Sequence, residues 1–138
     1  MKIRYFSPQY QQSVIELWQT CGLVVPQNNP VKDIERKLKV DPDLFLIGVI
    51  DGEVVASVMG GYEGHRGWVN YLAVSPTHQR QGLGRLMMQA IETALHQKGC
   101  PKINLQVRST NQAVIAFYAA LGYGDDYVVS LGKRLEFD

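Results

Sequence analysis

The sequence predicts one mixed α/β domain, with elements in the order β-α-α-β-β-β-α-β-α-β around a central mixed sheet whose fourth and fifth strands run parallel. Three observations lead there. Apolar runs between residues 44 and 74 are separated by turn residues at hairpin spacing. A strand, a glycine-bearing loop and a long amphipathic helix follow one another from Tyr71 to Gln97. No repeat or low-complexity tract interrupts the chain, and 138 residues suffice for one domain with a real core but not for two ordinary ones.

Lys2 to Phe6 alternates like an edge strand, and Ser7-Pro8 suits a helix start, with serine at the cap and proline at the first position. Val14, Leu17, Trp18 and Cys21 share a face of that first helix, which Gly22 ends. Prolines hold Val24 to Pro30 in a loop, and a second helix around Val31 to Lys39 has Val31, Ile34 and Leu38 as its apolar side. Leu44 to Ile50 and Glu53 to Gly61 read as strands joined by a type I′ turn at Asp51-Gly52. Glu63 to Gly67 turns the chain again, and Trp68 to Val74 returns antiparallel before Ser75-Pro76 stops it. The long helix carries Leu83, Leu86, Met87, Ala90, Ile91, Ala94 and Leu95 at three- and four-residue spacing, then ends at Gly99. Lys102 to Val107 follows as a strand, parallel to the fourth through a right-handed crossover. A last helix with Ala113, Val114, Phe117, Tyr118 and Leu121 on one side stops at Gly122, and a final strand is expected at about Val128 to Leu135.

Composition narrows the function classes. Hydrophobic residues at 46% and charged residues at 20% are ordinary for a soluble globular chain, and a net charge of +1 offers no field for nucleic acid. The basic residues Lys32, Arg36, Lys37 and Lys39 alternate with Asp33 and Glu35 and read as a solvated helix face. No apolar signal core opens the chain and no run spans a bilayer, so a cytoplasmic protein without membrane partner is expected. Cys21 and Cys100 lack metal-ligand spacing, and His65, His78 and His96 form no ligand pattern, so no metal is expected.

The chemistry concentrates in Gln79-Arg80-Gln81-Gly82-Leu83-Gly84 and the adjacent Arg85. The first N–H groups of a helix have no intrahelical acceptor, and the peptide dipoles put partial positive charge there, so a phosphate can be held by main chain. Gly82 and Gly84 permit close approach, while Arg80 and Arg85 add charge. A dinucleotide fingerprint needs a third glycine and an acidic residue about 20 positions on, and a P-loop needs Gly-Lys-Ser/Thr; neither is present. Taken alone, the hexapeptide is equally compatible with a connecting loop that binds nothing.

Gln79, Gly82 and Gly84 match Gln/Arg-x-x-Gly-x-Gly/Ala, and the loop resembles motif A of the GNAT superfamily of acyl-CoA N-acyltransferases. Asn111 to Tyr123 resembles that family's motif B, Asn-x-x-Ala-x-x-x-Tyr-x-x-x-Gly-Phe/Tyr, with the alanine spacing not strictly kept. The element order is similar to the GNAT fold over essentially the full length, residues 1 to 138, which implies that the parallel fourth and fifth strands splay apart. Segments Asp33 to Lys37, Gly64 to Gly67, Gly99 to Ile103 and Ser130 to Arg134 resemble the small bacterial YpeA-like members. The resemblance implies acetyl-CoA as cosubstrate, with its pyrophosphate on residues 79 to 85 and its pantetheine arm along the backbone of Leu72, Ala73 and Val74, beside a bulge. Phe117 is implicated in cofactor contact, and Asn111 likewise, although Ser109-Thr110-Asn111 is also a helix N-cap sequence.

Tyr118 occupies the family position of a phenol that faces the departing thiolate. With tyrosine near 10 and an alkyl thiol near 8.5, full proton transfer is uphill by roughly 2 kcal/mol, so hydrogen-bond stabilisation is the expected role. An aromatic on an apolar helix side is otherwise core. Many family members carry a fourth-strand glutamate as base, but Trp68 to Val74 contains no carboxylate. Glu63 and His65 are the candidates in the preceding turn, where they also read as solvated turn residues. Tyr71 and Asn70 are placed to orient a water. The implied reaction is acetyl transfer to an amine by direct attack, with thioester oxygen polarised by the Leu72 amide and no acetyl-cysteine. The acceptor, a small molecule or a protein amine, is not readable; Asp125 and Asp126 either attract a cation or make a turn. A noncatalytic acyl-CoA-binding regulatory module is the alternative, and exposed aromatics such as Trp68 leave a homodimer open.

Overall fold

In the computed structural model, which describes residues 1–138, the expected hairpins form a five-stranded sheet in the order β1-β2-β3-β4-β5. The strands are β1 (Lys2–Tyr5), β2 (Phe45–Ile50), β3 (Glu53–Tyr62), β4 (Gly67–Val74) and β5 (Ile103–Asn104). Pairing is antiparallel from β1 to β4 and parallel between β4 and β5. The Asp51-Gly52 turn has both central residues at positive φ, 50° and 79°, as a type I′ hairpin requires. The chain divides into two compact units, Met1–Asn104 with Asp138, and Leu105–Phe137.

In the first unit the helices are α1 (Gln11–Thr20), α2 (Pro30–Leu38) and α3 (Leu83–Gln97). Ser7-Pro8 opens a 3-10 turn, Pro8–Tyr10, rather than α1 itself. Asn29 caps α2 by accepting the Lys32 N–H at 3.2 Å, with Pro30 at the first helical position. At the ends of α1 and α3, paired bonds fold the chain back through Gly22 and Gly99. Leu23 N–H reaches the Trp18 carbonyl, and Cys100 N–H that of Leu95.

Side-chain period two sends Ser57 and Gly60 of β3 to opposite faces. Ser57 meets Trp18 of α1. A methyl group at Gly60 would lie 2.8 Å from Ile91 Cδ1 of α3, so α3 rides close against bare backbone there. The two helices therefore sandwich the sheet. On the α1 side Trp18, Ile34, Phe45, Ile47 and Met59 are buried together. The α3 stripe is Leu83, Met87, Met88, Ile91 and Leu95. Leu86, expected within it, is 45% exposed, and Met88 takes the inward place. The buried positions follow the groove that the sheet offers, a narrower stripe than helical spacing alone allows.

Two strand expectations are corrected. The fifth strand was expected over Lys102 to Val107, but only Ile103 and Asn104 pair, opposite Gly67 and Trp68. In the second unit no strand forms at Val128 to Leu135; Val128, Val129 and Leu131 are 76%, 83% and 90% exposed. β-propensity describes how well a residue fits a half-buried pleated surface. Without a ladder partner and a face to cover, it makes no strand. The element of this unit that does form is α4 (Gln112–Ala120), capped by Asn111 Oδ1, which accepts the Val114 N–H at 3.3 Å. It closes at Gly122, φ 97°, where Tyr123 N–H reaches the Tyr118 carbonyl.

Candidate functional site

β4 changes character along its length. Met59 pairs with Asn70 and Ser57 with Ala73, so Tyr71 and Leu72 together stand opposite one residue of β3. That is a bulge, and Tyr71 adopts φ 51° to make it. An aromatic residue in the left-handed region persists only where its surroundings over-determine it. Here they do. Ser57 Oγ, fully buried, accepts the Trp18 indole N–H at 2.9 Å and donates to the Tyr71 carbonyl at 2.8 Å. The Trp18 and Tyr71 rings stack at 3.8 Å and 13°, continuing a column through Phe45 and Phe6. Past Trp68, β5 no longer pairs with β4, which leaves the edge of Leu72, Ala73 and Val74 without a strand neighbour.

Beside the bulge is a cavity of about 450 Å³ between the sheet and α2. Asn70, Tyr71 and Met59 form its sheet wall, while Asp33, Arg36 and Lys37 come from α2. The Tyr71 hydroxyl donates to Asp33 Oδ2 at 2.6 Å. Desolvation, together with the bond to Asp33, pushes the phenol pKa well above its usual value, so Tyr71 is a neutral donor and not a base. Burial pushes the Lys37 ammonium down, and its Nζ donates to the Gly60 carbonyl. Arg36 bridges Asp33 at 3.7 Å and forks onto the Asp138 carboxylate with two bonds of 2.8 Å.

The Gln79–Arg85 segment also lies in the first unit. Gln79 Nε2 donates to the Val74 carbonyl at 3.3 Å, pinning the loop to the end of β4. Arg80 and Gly82 sit at φ 64° and 77°, and Gly82 is the N-cap of α3 with no side-chain capping bond. Leu83 is buried while Arg80, Gln81 and Arg85 are exposed, so the apolar residue anchors the loop and the charges face water. A methyl group at Gly82 would meet nothing within 4 Å. This glycine thus serves the backbone turn and leaves open space before the first N–H groups of a 15-residue helix. That geometry fits a phosphate.

Tyr118 and Phe117 lie on α4 of the second unit, their rings 5.1 Å apart edge to face, with Tyr123 on the other side at 5.6 Å. Burial pushes the Tyr118 phenol up to about 12. Asn111 is engaged as a cap, and Asp125 accepts the Tyr127 N–H at 2.6 Å, closing a turn. Glu63 behaves as a turn residue too. Its carboxylate accepts the His65 and Arg66 N–H groups and is held below its usual pKa by them, exposed and eight positions before Tyr71. His65, the other group that the sequence offers for a base in this turn, has Nδ1 4.0 Å from Glu63 Oε1.

Sequence reasoning missed Asp33, Ser57 and Arg36. The charged residues of α2 read as a solvated face, yet Asp33, Arg36 and Lys37, three and four residues apart, line the cavity. The available signal was that spacing, and for Ser57 a lone hydroxyl inside the apolar run Val54 to Met59. Cys21 Sγ donates to the Val74 carbonyl at 3.4 Å, and burial pushes its thiol up, the opposite of an activated nucleophile.

The profile of the acetyltransferase (GNAT) family matches residues 8–123. An acetyltransferase of Sodalis glossinidius is 50% identical over 136 residues, 98% of this chain and 96% of that protein. Among solved structures, Ard1 from Thermoplasma volcanium superposes with a TM-score of 0.76 at 26% identity, over 88% of this chain and 80% of that one. AAC(6')-Iy in complex with the bisubstrate analogue CoA-S-monomethyl-acetylneamine shares the fold, with a TM-score of 0.79 at 18% identity over 96% and 97% of the two chains.

Proposed function

Because the chain belongs to the acetyltransferase (GNAT) family, we propose that it transfers an acetyl group from acetyl-CoA to a primary amine by direct attack in a ternary complex, with all 138 residues acting as one catalytic domain. The observation that carries this reading is the open, bulged half of β4 running into the glycine N-cap of α3. An extended arm finds backbone partners along Leu72, Ala73 and Val74, and phosphates find N–H groups and charge at Gln79 to Arg85. Acetyl-CoA supplies an activated thioester there, and the Leu72 amide is the donor assigned to its carbonyl oxygen.

The exchange forms an N–C bond and breaks a C–S bond: the ammonium loses one proton through water to solvent before attack, and the proton that nitrogen loses on becoming an amide reaches the departing thiolate through solvent. A primary amine near pKa 10.4 is mostly protonated at pH 7, so proton removal precedes attack. Tyr71 and Asn70 orient a water for this, and the Asp33 carboxylate stabilises the positive charge that the relay carries. Tyr118 is assigned the hydrogen bond to the leaving sulfur. With its phenol at about 12, full transfer to an alkyl thiolate is uphill by about 5 kcal/mol, which leaves donation of a hydrogen bond as the role. Asn111 and Phe117 are assigned to cofactor contact. Trp68, 40% exposed on β4, offers a surface for a homodimer, checked by light scattering at several concentrations. A cytoplasmic location is part of the same reading; no helix is long and apolar enough to cross a membrane.

Calorimetric titration with acetyl-CoA, against dephospho-CoA and ATP, tests the cofactor half. Selective binding is expected, and Gly82→Trp, which fills the open space before α3, is expected to weaken it by about 3 kcal/mol, or ~100-fold, in a folded protein. Normal affinity in that variant would refute the phosphate site. Tyr118→Phe is expected to leave binding nearly intact and slow turnover by roughly 10- to 100-fold, the worth of one hydrogen bond to a charged atom. Binding of acetyl-CoA with no turnover across an amine panel would identify a noncatalytic regulatory module instead.

A further inference from the structure

The cavity between α2 and the bulge holds opposite charges in a fixed arrangement. Arg36 and Lys37 line it beside a single carboxylate, Asp33, whose Oδ1 lies 3.7 Å from Arg36 Nη1 and whose Oδ2 receives the Tyr71 hydroxyl. The Arg36 guanidinium already grips a carboxylate. Both Asp138 oxygens are bound, Oδ2 on Nη1 and Oδ1 on Nη2, each at 2.8 Å, and the Asp138 side chain is 5% exposed. Two parallel bonds of this length are the bidentate geometry that guanidinium makes with carboxylates in general, whichever molecule supplies them.

We propose that Arg36 is the carboxylate subsite of the acceptor pocket and that the acceptor is an amino acid, bound by its carboxylate on Arg36 with its amine toward Asp33, Tyr71 and Asn70. This rests on the acetyl-transfer reading above and names its substrate class. A zwitterion offers a carboxylate to Arg36 and an amine to Asp33, and its two groups lie close together, as Arg36 Nη1 and Asp33 Oδ1 do at 3.7 Å. A volume of about 450 Å³ suits a molecule of that size. A polyamine or an aminoglycoside would bring several positive charges against Arg36 and Lys37, an unfavourable pairing that discriminates without any added contact. Acetylation removes the amine charge and leaves the carboxylate, so the product loses its attraction to Asp33 and departs. Asp138 occupies the fork as an internal competitor, which an incoming carboxylate displaces.

The experiment compares phenylalanine, leucine and methionine with phenethylamine, isoamylamine and 3-(methylthio)propylamine, which lack only the carboxylate. Turnover with acetyl-CoA and equilibrium binding in the presence of CoA are both measured. Each amino acid is expected to show a kcat/KM about 10- to 100-fold above its decarboxylated partner. Arg36→Gln is expected to erase that ratio, chiefly through KM, while acetyl-CoA affinity is unchanged. Asp138→Asn is expected to tighten amino-acid binding. Equal kcat/KM for the two series, or an amine preference retained in wild-type protein, overturns the proposal without needing any variant to fold. Amino-acid binding that depends on Arg36 in a protein that transfers no acetyl group would uphold the subsite and reject the reaction. Acetyl transfer to amines with no carboxylate preference would do the reverse.

Discussion

The two halves of β4 are built to opposite specifications. From Gly67 to Trp68 the strand is paired on both sides, with Tyr62 and Gly61 of β3 on one edge and Ile103 and Asn104 of β5 on the other. From Tyr71 to Val74 it is bulged against β3 and has no strand partner along its other edge. The first half satisfies its backbone groups within the sheet. In the second the Val74 carbonyl takes side-chain donors, Gln79 Nε2 and Cys21 Sγ, and the irregular shape is held by a buried serine, an indole and a carboxylate rather than by a second ladder. Regular pairing and an irregular, one-sided edge are competing uses of the same backbone donors and acceptors, and here the switch falls within one strand.

Substitutions in the two halves separate these uses. The largest stability loss is expected where packing is closed. A Cβ at Gly67 would lie 2.6 Å from Cys100 Sγ, so Gly67→Val should cost about 3 kcal/mol in urea unfolding with no specific change in KM for acetyl-CoA. Ser57→Ala strips the Trp18 N–H and the Tyr71 carbonyl of a shared partner, an expected cost of about 2 kcal/mol, and also loosens the bulge. Its kcat should therefore fall further than that of Gly67→Val at equal fraction folded. Should the two variants lose activity in proportion to stability alone, the bulge has no separate role.

The smallest effect is expected from Tyr71→Phe, about 1 kcal/mol at neutral pH, and it has a distinct pH signature. Burial raises the folded-state pKa of Tyr71 above the unfolded value near 10. Below pH 10 both states hold the proton and the group contributes no slope. Above it the unfolded state ionises first and binds fewer protons, so stability falls as pH rises. Phenylalanine at this position should flatten part of that alkaline limb in denaturation curves taken from pH 8 to 12. Tyr118, itself raised to about 12, should account for part of the remainder.

Much of the architecture was legible because it is local. Asp51-Gly52 specified its turn through positive φ, and Gly22, Gly99 and Gly122 marked helix ends by the same chemistry. Gln79 to Arg85 announced a helix N-terminus that fits an anion, and the full-length relationship to acetyltransferases was already visible in Asn111 to Tyr123. The cavity was not. Asp33 and Arg36 resemble any salt-paired helix face until a sheet is placed beside them, and the two N–H groups that Glu63 Oε1 accepts within its own turn were likewise not on view.

What the sequence determined alone is what nearest neighbours determine: caps, turns, periodic faces and the glycine loop, each set by φ/ψ preference or by contacts within a few residues. Only the tertiary structure decided which runs became strands, since a ladder needs a partner: Glu53 to Tyr62 had two, Val128 to Leu135 none. The same holds for the site. Trp18, Ser57, Asp33 and Tyr71 are far apart along the chain, and their bonds of 2.6 to 2.9 Å exist because α1 and α2 pack on one face of the sheet. A hydrogen bond between distant residues carries no signature in either of them, because its energy depends on a geometry that packing alone creates.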